Sequence, residues 1–201
     1  MSIIFFDTET TGLTPGQICQ LAYIKMSAGG ETAGVNYFFA VEHMPAAAAE
    51  IHGLTKERLA VLSGGKVFKD SAEQIRGEFA AADLLVAHNF PFDQQFMSAE
   101  FARAGKIFRY NKSFCTMRKL TPVLKLLRSD GRSFKYPRLD EVASIFKLHD
   151  DANTFANMFF DETADFHDAR YDSTLVYLAF LKMAAADPEA AAYLAGITAA
   201  G

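Results

Sequence analysis

Three short stretches carry residue types from which a metal-assisted or acid–base reaction could be built: Asp7-Thr8-Glu9-Thr10, His88-Asn89-Phe90-Pro91-Phe92-Asp93 and His167-Asp168-Ala169-Arg170-Tyr171-Asp172. In the first, carboxylates at i and i+2 leave the same face of a strand and can reach one cation together. In the second, a carboxylate falls in the first turn of a helix that directly follows an apolar strand, a place where open α/β sheets present ligand-binding groups. In the third, five positions separate histidine from aspartate, about 140° around a helix axis, so the pair converges only if the histidine sits in a loop before the helix. Each stretch alone also has an ordinary reading. Asp7 and Glu9 can be solvated strand-end acids, and Asp93 a helix-start carboxylate satisfying the macrodipole. His88 and Asn89 can be turn residues, His167 a solvated surface residue, and Asp172 a partner of Lys182 or Arg170.

The elements that must position these groups follow from hydrophobic periodicity. The apolar run Ile3–Phe6 ends at Asp7 and predicts a buried first strand. Ile18–Met26 and Val35–Val41 predict two more, joined through Gly29-Gly30 as an antiparallel meander. Helical spacing then takes over in Pro45–Ile51, Lys56–Leu62 and Asp70–Ala82. Leu84–Ala87 predicts a fourth strand leading into a helix through Phe92, Phe96 and Ala99, and Ser113–Met117 a fifth. Further helices are expected between Arg118 and Arg128, through Leu139, Val142, Ala143 and Phe146, from Phe166 to about Ala186, and after Asp187-Pro188. Ser129–Pro137 is expected to be a basic loop. Strands first, then alternating helices and strands, predict one α/β domain over residues 1–201 with a mixed sheet of about five strands.

In the stated order the three stretches resemble the DEDDh branch of the DnaQ-like 3′→5′ exonucleases, which carry Asp-x-Glu, His-Asn-x-x-Phe-Asp and His-x-x-x-x-Asp. The resemblance runs from about Ile3 to Ala179 and includes Ile51-His52-Gly53-Leu54-Thr55 and Cys115-Thr116. It implies a ribonuclease H-like fold in which Asp7, Glu9, Asp93 and Asp172 assemble a two-metal site and His167, supplied by a loop, is the general base. It further implies that Leu13 packs against a terminal base, and that Thr8, Thr10, His52, His88 and Asn89 contact the terminal nucleotide. Pro91 inside the second motif and the long stretch from Asp150 to Asp165 before His167 depart from the pattern. The chemistry of the donors is consistent with the resemblance. Four carboxylates without cysteine suit two Mg²⁺ or Mn²⁺ ions rather than zinc, and a histidine titrating near neutrality can take the proton of an attacking water. The activity implied is release of nucleoside 5′-monophosphates from single-stranded 3′ ends, of DNA first. An RNA-trimming enzyme would use the same five residues, and a non-catalytic binding module would be expected to lack one or more of the four acids.

Composition bounds the remaining questions. Half of the 201 residues are hydrophobic, 19 are Phe and none is Trp, which fits a globular chain whose aromatic packing rests on Phe. The opening Met1–Phe6 has no basic n-region, no apolar run approaches a membrane span, and Cys19 and Cys115 lack metal-ligand spacing, so a cytoplasmic protein is expected. Only 29 residues follow Asp172, and no polymerase-binding tail is expected among them. The net charge of −4 conceals two blocks: eleven Lys or Arg against Asp130 alone between Arg103 and Arg138, and nine acids against Lys147 and Arg170 between Leu139 and Asp172. On charge alone one block can hold phosphates and the other metal ions, or the two can equally be solvated faces of opposite sign; the basic block is expected to guide the strand, with Lys112, Arg132, Lys135 and Arg138 in loops reaching phosphates.

Overall fold

The computed structural model describes residues 1–161 and 167–199. Five strands form one mixed sheet: β1 (Ile3–Thr10), β2 (Ile18–Met26), β3 (Thr32–Phe38), β4 (Leu84–Ala87) and β5 (Ser113–Cys115), in the spatial order β3-β2-β1-β4-β5. The meander β1-β2-β3 is antiparallel, with Ile3 opposite Met26 and Gln20 opposite Phe38. On the other side of β1, β4 and then β5 run parallel, so the C-terminal ends of β1 and β4 lie at the same end of the sheet.

Nine helices surround the sheet among the described residues: α1 (Ala46–His52), α2 (Lys56–Leu62), α3 (Phe68–Ala81), α4 (Phe90–Arg103), α5 (Thr116–Leu124), α6 (Leu139–Phe146), α7 (His149–Phe160), α8 (Ala169–Met183) and α9 (Pro188–Thr198). The period-2 alternation of β1 divides the core into two layers. Ile3 and Phe5 pack with Leu84, Val86 and Phe114 against α8, where Phe5 and Phe114 both meet Phe180 edge-on. Ile4 and Phe6 face α3 and α4, where Phe6 meets both Phe79 and Phe90 edge-on. The central strand is buried on both faces, which accounts for its unbroken apolar run. No helix among the described residues is long and apolar enough to cross a membrane.

Several boundaries differ from the sequence expectation. β3 begins at Thr32 and ends at Phe38, because Thr32, Ala33 and Gly34 pair with Met26, Lys25 and Ile24 although only one of the three has an apolar side chain. Phe39 N–H still donates to the Cys19 carbonyl of β2 at 2.9 Å, and beyond it the chain leaves the sheet, the Ala40 N–H donating to the Lys66 carbonyl. β5 stops at Cys115, and α5 starts there and ends at Lys125, whose φ of 51° places it in the left-handed region. No element is assigned from sequence to the stretch from Asp150 to Asp165, and α7 occupies its first part. Asp150 and Asp151 lie in the first turn of α7, and Ala152, Phe155, Ala156 and Phe159 form its apolar stripe. α7 crosses β3 so closely that a Cβ at Gly34 would stand 2.4 Å from the Phe159 carbonyl oxygen. The expected helix start at Phe166 lies outside the described residues; α8 begins at Ala169.

Candidate functional site

Past Phe6, β1 keeps its alternation but changes chemistry. Asp7 and Glu9 continue the face of Ile3 and Phe5 toward α8, and Thr8 and Thr10 continue the opposite face toward α4. At the same end of the sheet, β4 gives way to His88 and to Asn89, which precedes α4 without a side-chain capping bond and has a φ of 66°, a left-handed conformation that asparagine tolerates. One turn into α4 stands Asp93, only 2% exposed, and Thr8 Oγ1 donates to its Oδ1 at 2.8 Å. Asp172 projects from the first turn of α8. His167 precedes that helix with a φ of 60°, and this backbone turn allows histidine and aspartate to meet despite their angular separation along a helix. Ligand atoms of Glu9, His167 and Asp172 all lie within 4.8 Å of one another.

The acids raise one another's proton affinity. Burial holds the Asp7 carboxyl well above the usual range, and the charges of Asp93, Asp172 and Glu9 add to it. Glu9 is raised by burial first, then by Asp172, Asp168 and Asp93. Asp93 is pushed up to about 7 by burial, against the opposing hydrogen bond from Thr8. Glu9 Oε1 is buried with no hydrogen-bond partner among the described residues. A buried carboxylate oxygen left in this way costs free energy unless a cation or water meets it. A set of buried acids with this mutual repulsion, with His167 beside it, can hold a divalent cation.

A polar network fixes the start of α8. Gln20, fully buried opposite Glu9, donates from Nε2 to Asn36 Oδ1 at 3.0 Å and to Asp168 Oδ1 at 2.9 Å, and its Oε1 accepts from the Ala169 N–H. Asp168 also caps α8 and accepts two side-chain bonds from Arg170. Burial raises the Asp168 carboxyl, but the hydrogen bonds and charge of Arg170 outweigh it and the net shift is downward. The bonds that Asp168 accepts from Gln20 and Arg170 hold the segment carrying His167 and Asp172 against β2. Sequence reasoning missed Gln20 and Asp168; the available signal was a glutamine inside the apolar run Ile18–Ile24.

The remaining expected residues divide into two groups. Thr8, Thr10, Leu13 and His52 line one pocket of about 400 Å³ beside Glu9, together with Ile51 and Phe92. Leu13 is 84% exposed there, and His52 is oriented by the Leu54 N–H donating to its Nδ1 at 3.1 Å. Burial lowers the His52 pKa. His88 and Asn89 are placed differently, at the turn that aims α4. The Pro137 carbonyl can only accept, so His88 Nε2 carries the proton at 2.9 Å from it, and Nδ1 lies 2.9 Å from Thr116 Oγ1. Burial lowers the His88 pKa, consistent with a neutral ring that ties α4 to the segment before α6. A second pocket of about 650 Å³ brings Arg138, Ser144 and His149 to His167 and Asp172.

Of the four basic loop residues expected to reach phosphates, Lys135 is corrected: its Nζ pairs with Glu141. Arg138 forms a two-pronged pair with Asp140 at 2.8 and 2.9 Å, although its side chain remains 71% exposed at the pocket rim. Lys112 Nζ lies 5.8 Å from the centroid of the Tyr193 ring. Arg132 makes no side-chain ion pair among the described residues and is exposed.

Comparison with known proteins gives concordant likenesses. The RNase_T family model, described as an exonuclease, matches residues 4–180. A PolC-type DNA polymerase III of Bacillus subtilis is 32% identical over 186 residues, 90% of this chain but 11% of that protein. A DNA polymerase III subunit epsilon of Rickettsia conorii is 30% identical over 151 residues, 72% of this chain and 62% of the relative. The chain thus spans less than two-thirds of the length of these relatives. Among solved structures, E. coli exonuclease I in complex with a dA16 oligonucleotide aligns over 96% of this chain and 42% of its own, at 16% identity and a TM-score of 0.71. Exonuclease X in complex with 5′-overhanging duplex DNA aligns over 92% of both chains, at 18% identity and a TM-score of 0.62.

Proposed function

The chain belongs to the RNase_T exonuclease family of DnaQ-like nucleases, and from that premise we propose that it is a DEDDh-type 3′→5′ exonuclease that releases nucleoside 5′-monophosphates from single-stranded DNA. The observation that carries the proposal is the convergence of Asp7, Glu9, Asp93 and Asp172 at one end of the sheet, with His167 beside Glu9 and Asp172. Support for DNA comes from relatives named as DNA polymerase III subunits and from similarly folded exonucleases solved with DNA.

In this reading Asp7, Glu9, Asp93 and Asp172 would hold two divalent ions, which would give the buried Glu9 Oε1 a partner. Such ions, when bound, offset the charge of the phosphodiester and stabilise the oxygens that attack and leave phosphorus. The protein's own groups do the rest. Thr8 orients Asp93 through its hydroxyl. The pocket of Thr8, Thr10, Leu13 and His52 takes the terminal nucleotide, with Leu13 and Phe92 against the base. His167 accepts the proton of the attacking water and is held near the acids by the anchor of Asp168 on Gln20 and Arg170. A proton can leave toward solvent from His167, which is exposed.

The test is digestion of linear and closed-circular single-stranded DNA in Mg²⁺ or Mn²⁺. Mononucleotides from the linear strand, none from the circle, and no reaction in EDTA are expected. Internal cuts in the circle as the main product, or full activity in EDTA, would refute the proposal.

A further inference from the structure

We propose that residues 125–137 form an arm that grips the single strand upstream of the terminal nucleotide, using Phe134 and Tyr136 as stacking surfaces and Arg128 and Arg132 as phosphate contacts; this rests on the exonuclease reading above. The segment is built as a short hairpin and not as an irregular loop. Leu127 bridges Phe134 in antiparallel fashion, the Arg128 N–H donates to the Ser133 carbonyl at 2.9 Å, and the Lys135 N–H to the Leu126 carbonyl at 2.8 Å. The Gly131 N–H closes the tip on the Arg128 carbonyl at 2.9 Å, with Gly131 at a φ of 65°. Backbone bonds thus shape the arm, with Asp130 at its tip and Lys135 on Glu141 as side-chain ties.

Its outer surface is what a soluble domain ordinarily hides. Leu127 is 58% exposed, Phe134 43% and Tyr136 56%. The side chains alternate: Lys135, between the two rings, turns inward to Glu141 on α6, while the rings at 134 and 136 remain open. The same segment carries Lys125, Arg128 and Arg132, all exposed, with Arg128 Nε donating to the Phe134 carbonyl at 3.5 Å; its one acid, Asp130, caps the arm's own tip by accepting from the Arg132 N–H. Interleaved aromatic and basic side chains are the chemistry of a single-strand platform, where bases stack and cations follow the backbone. A purely apolar partner would leave the arginines unanswered, and a purely anionic one would leave the rings in water.

Position completes the argument. The root of the arm is Pro137, whose carbonyl is held by His88 of the second acidic motif. The next residue, Arg138, rims the 650 Å³ pocket that contains His167 and Asp172. A strand with its 3′ end at the acids and its chain leaving through this pocket would run onto the arm. Stacking and phosphate contact leave the sugar unread, so the arm serves deoxyribose and ribose strands alike.

The test compares wild type with Phe134→Leu/Tyr136→Leu, which keeps apolar bulk but removes the π faces, and with Phe134→Tyr/Tyr136→Phe, which keeps them. Fluorescence anisotropy in EDTA measures binding of fluorescein-labelled dT4 and dT12, and of rU4 and rU12, at fixed salt. For wild type, affinity should rise from the 4-mer to the 12-mer; the leucine pair should lose about tenfold of that gain per stacked base, and the aromatic swap should retain it. An equal loss with deoxy and ribo strands is expected, whereas loss with one sugar alone would overturn the sugar-blind grip. The proposal also falls if the leucine pair keeps the full length-dependent gain, or if it alters only the sedimentation of the protein, which would make the arm a contact between copies. Because binding is read without cleavage, absence of nuclease activity in the wild type would refute the exonuclease reading and leave this result standing by itself.

Discussion

Asp93→Asn should make the metal-free protein more stable, and the gain should grow with pH. Asp93 is 2% exposed and its carboxyl is pushed from an ordinary 3.8 up to about 7, chiefly by burial. The folded state therefore binds a proton that the unfolded chain has already released, so stability is full below about pH 4 and is lost as pH rises toward 7. Roughly three pH units at about 1.4 kcal/mol each correspond to ~4 kcal/mol, lost above pH 7 in the absence of metal. Asparagine is nearly isosteric and its Oδ1 can still accept from Thr8, so the variant keeps the hydrogen bond and removes the charge. Any misfit of the new amide adds an offset that does not vary with pH. The assay is urea unfolding in EDTA from pH 5 to 8.5, on wild type and variant. The difference between them should widen in the variant's favour by ~2–3 kcal/mol over that range. Added Mg²⁺ or Mn²⁺ should stabilise wild type far more than the variant. A difference that stays constant with pH, or that narrows, would refute the claim that this carboxylate is ionised at a cost in the empty site.

Further expectations separate the roles of neighbouring residues. His167→Ala should slow turnover by about a hundredfold or more with metal binding near wild type, and Asp7→Asn should weaken metal binding; equal losses of metal in calorimetry would contradict that division. Gln20→Ala leaves Asp168 and the Ala169 N–H without their β2 partner, so it should cost ~1–3 kcal/mol and lower kcat more than it raises KM; unchanged kcat would make the glutamine a core residue only. Arg132→Ala should flatten the salt dependence of single-strand affinity by about 0.7 in log–log slope, whereas Lys135→Ala, already paired with Glu141, should barely change it. Gly34→Ala should destabilise by about 1–3 kcal/mol in thermal melts, since its Cβ would meet the Phe159 backbone; a neutral result would mean that α7 can shift off β3.

The parts of the fold legible in the sequence were those with a strong period. The apolar run Ile3–Phe6 and the run Leu84–Ala87 lead to the same end of the sheet, and the acids that follow them in sequence meet there in space. α7 carries a helical signal in the recurrence of Ala152, Phe155, Ala156 and Phe159, but Asp150 and Asp151 fit a solvated acidic stretch as well as a helix start. Contacts between distant residues were illegible. Nothing local to Gln20 announces that it reaches Asp168, 148 positions away, and nothing near Lys135 distinguishes a phosphate ligand from the partner of Glu141. That His167 lies in a loop was legible from its five-residue spacing to Asp172; its left-handed backbone, with a φ of 60°, was not.

The most direct test of the central claim follows a 5′-labelled single-stranded oligonucleotide, with either a free 3′ hydroxyl or a blocked 3′ end, in Mg²⁺ over time, beside Asp7→Asn. The account predicts a ladder shortening one nucleotide at a time from the free 3′ end, with 5′-monophosphates as product. It also predicts little reaction on the blocked end and none from the variant. Early release of the 5′-labelled nucleotide, or equal cutting by Asp7→Asn, would contradict it.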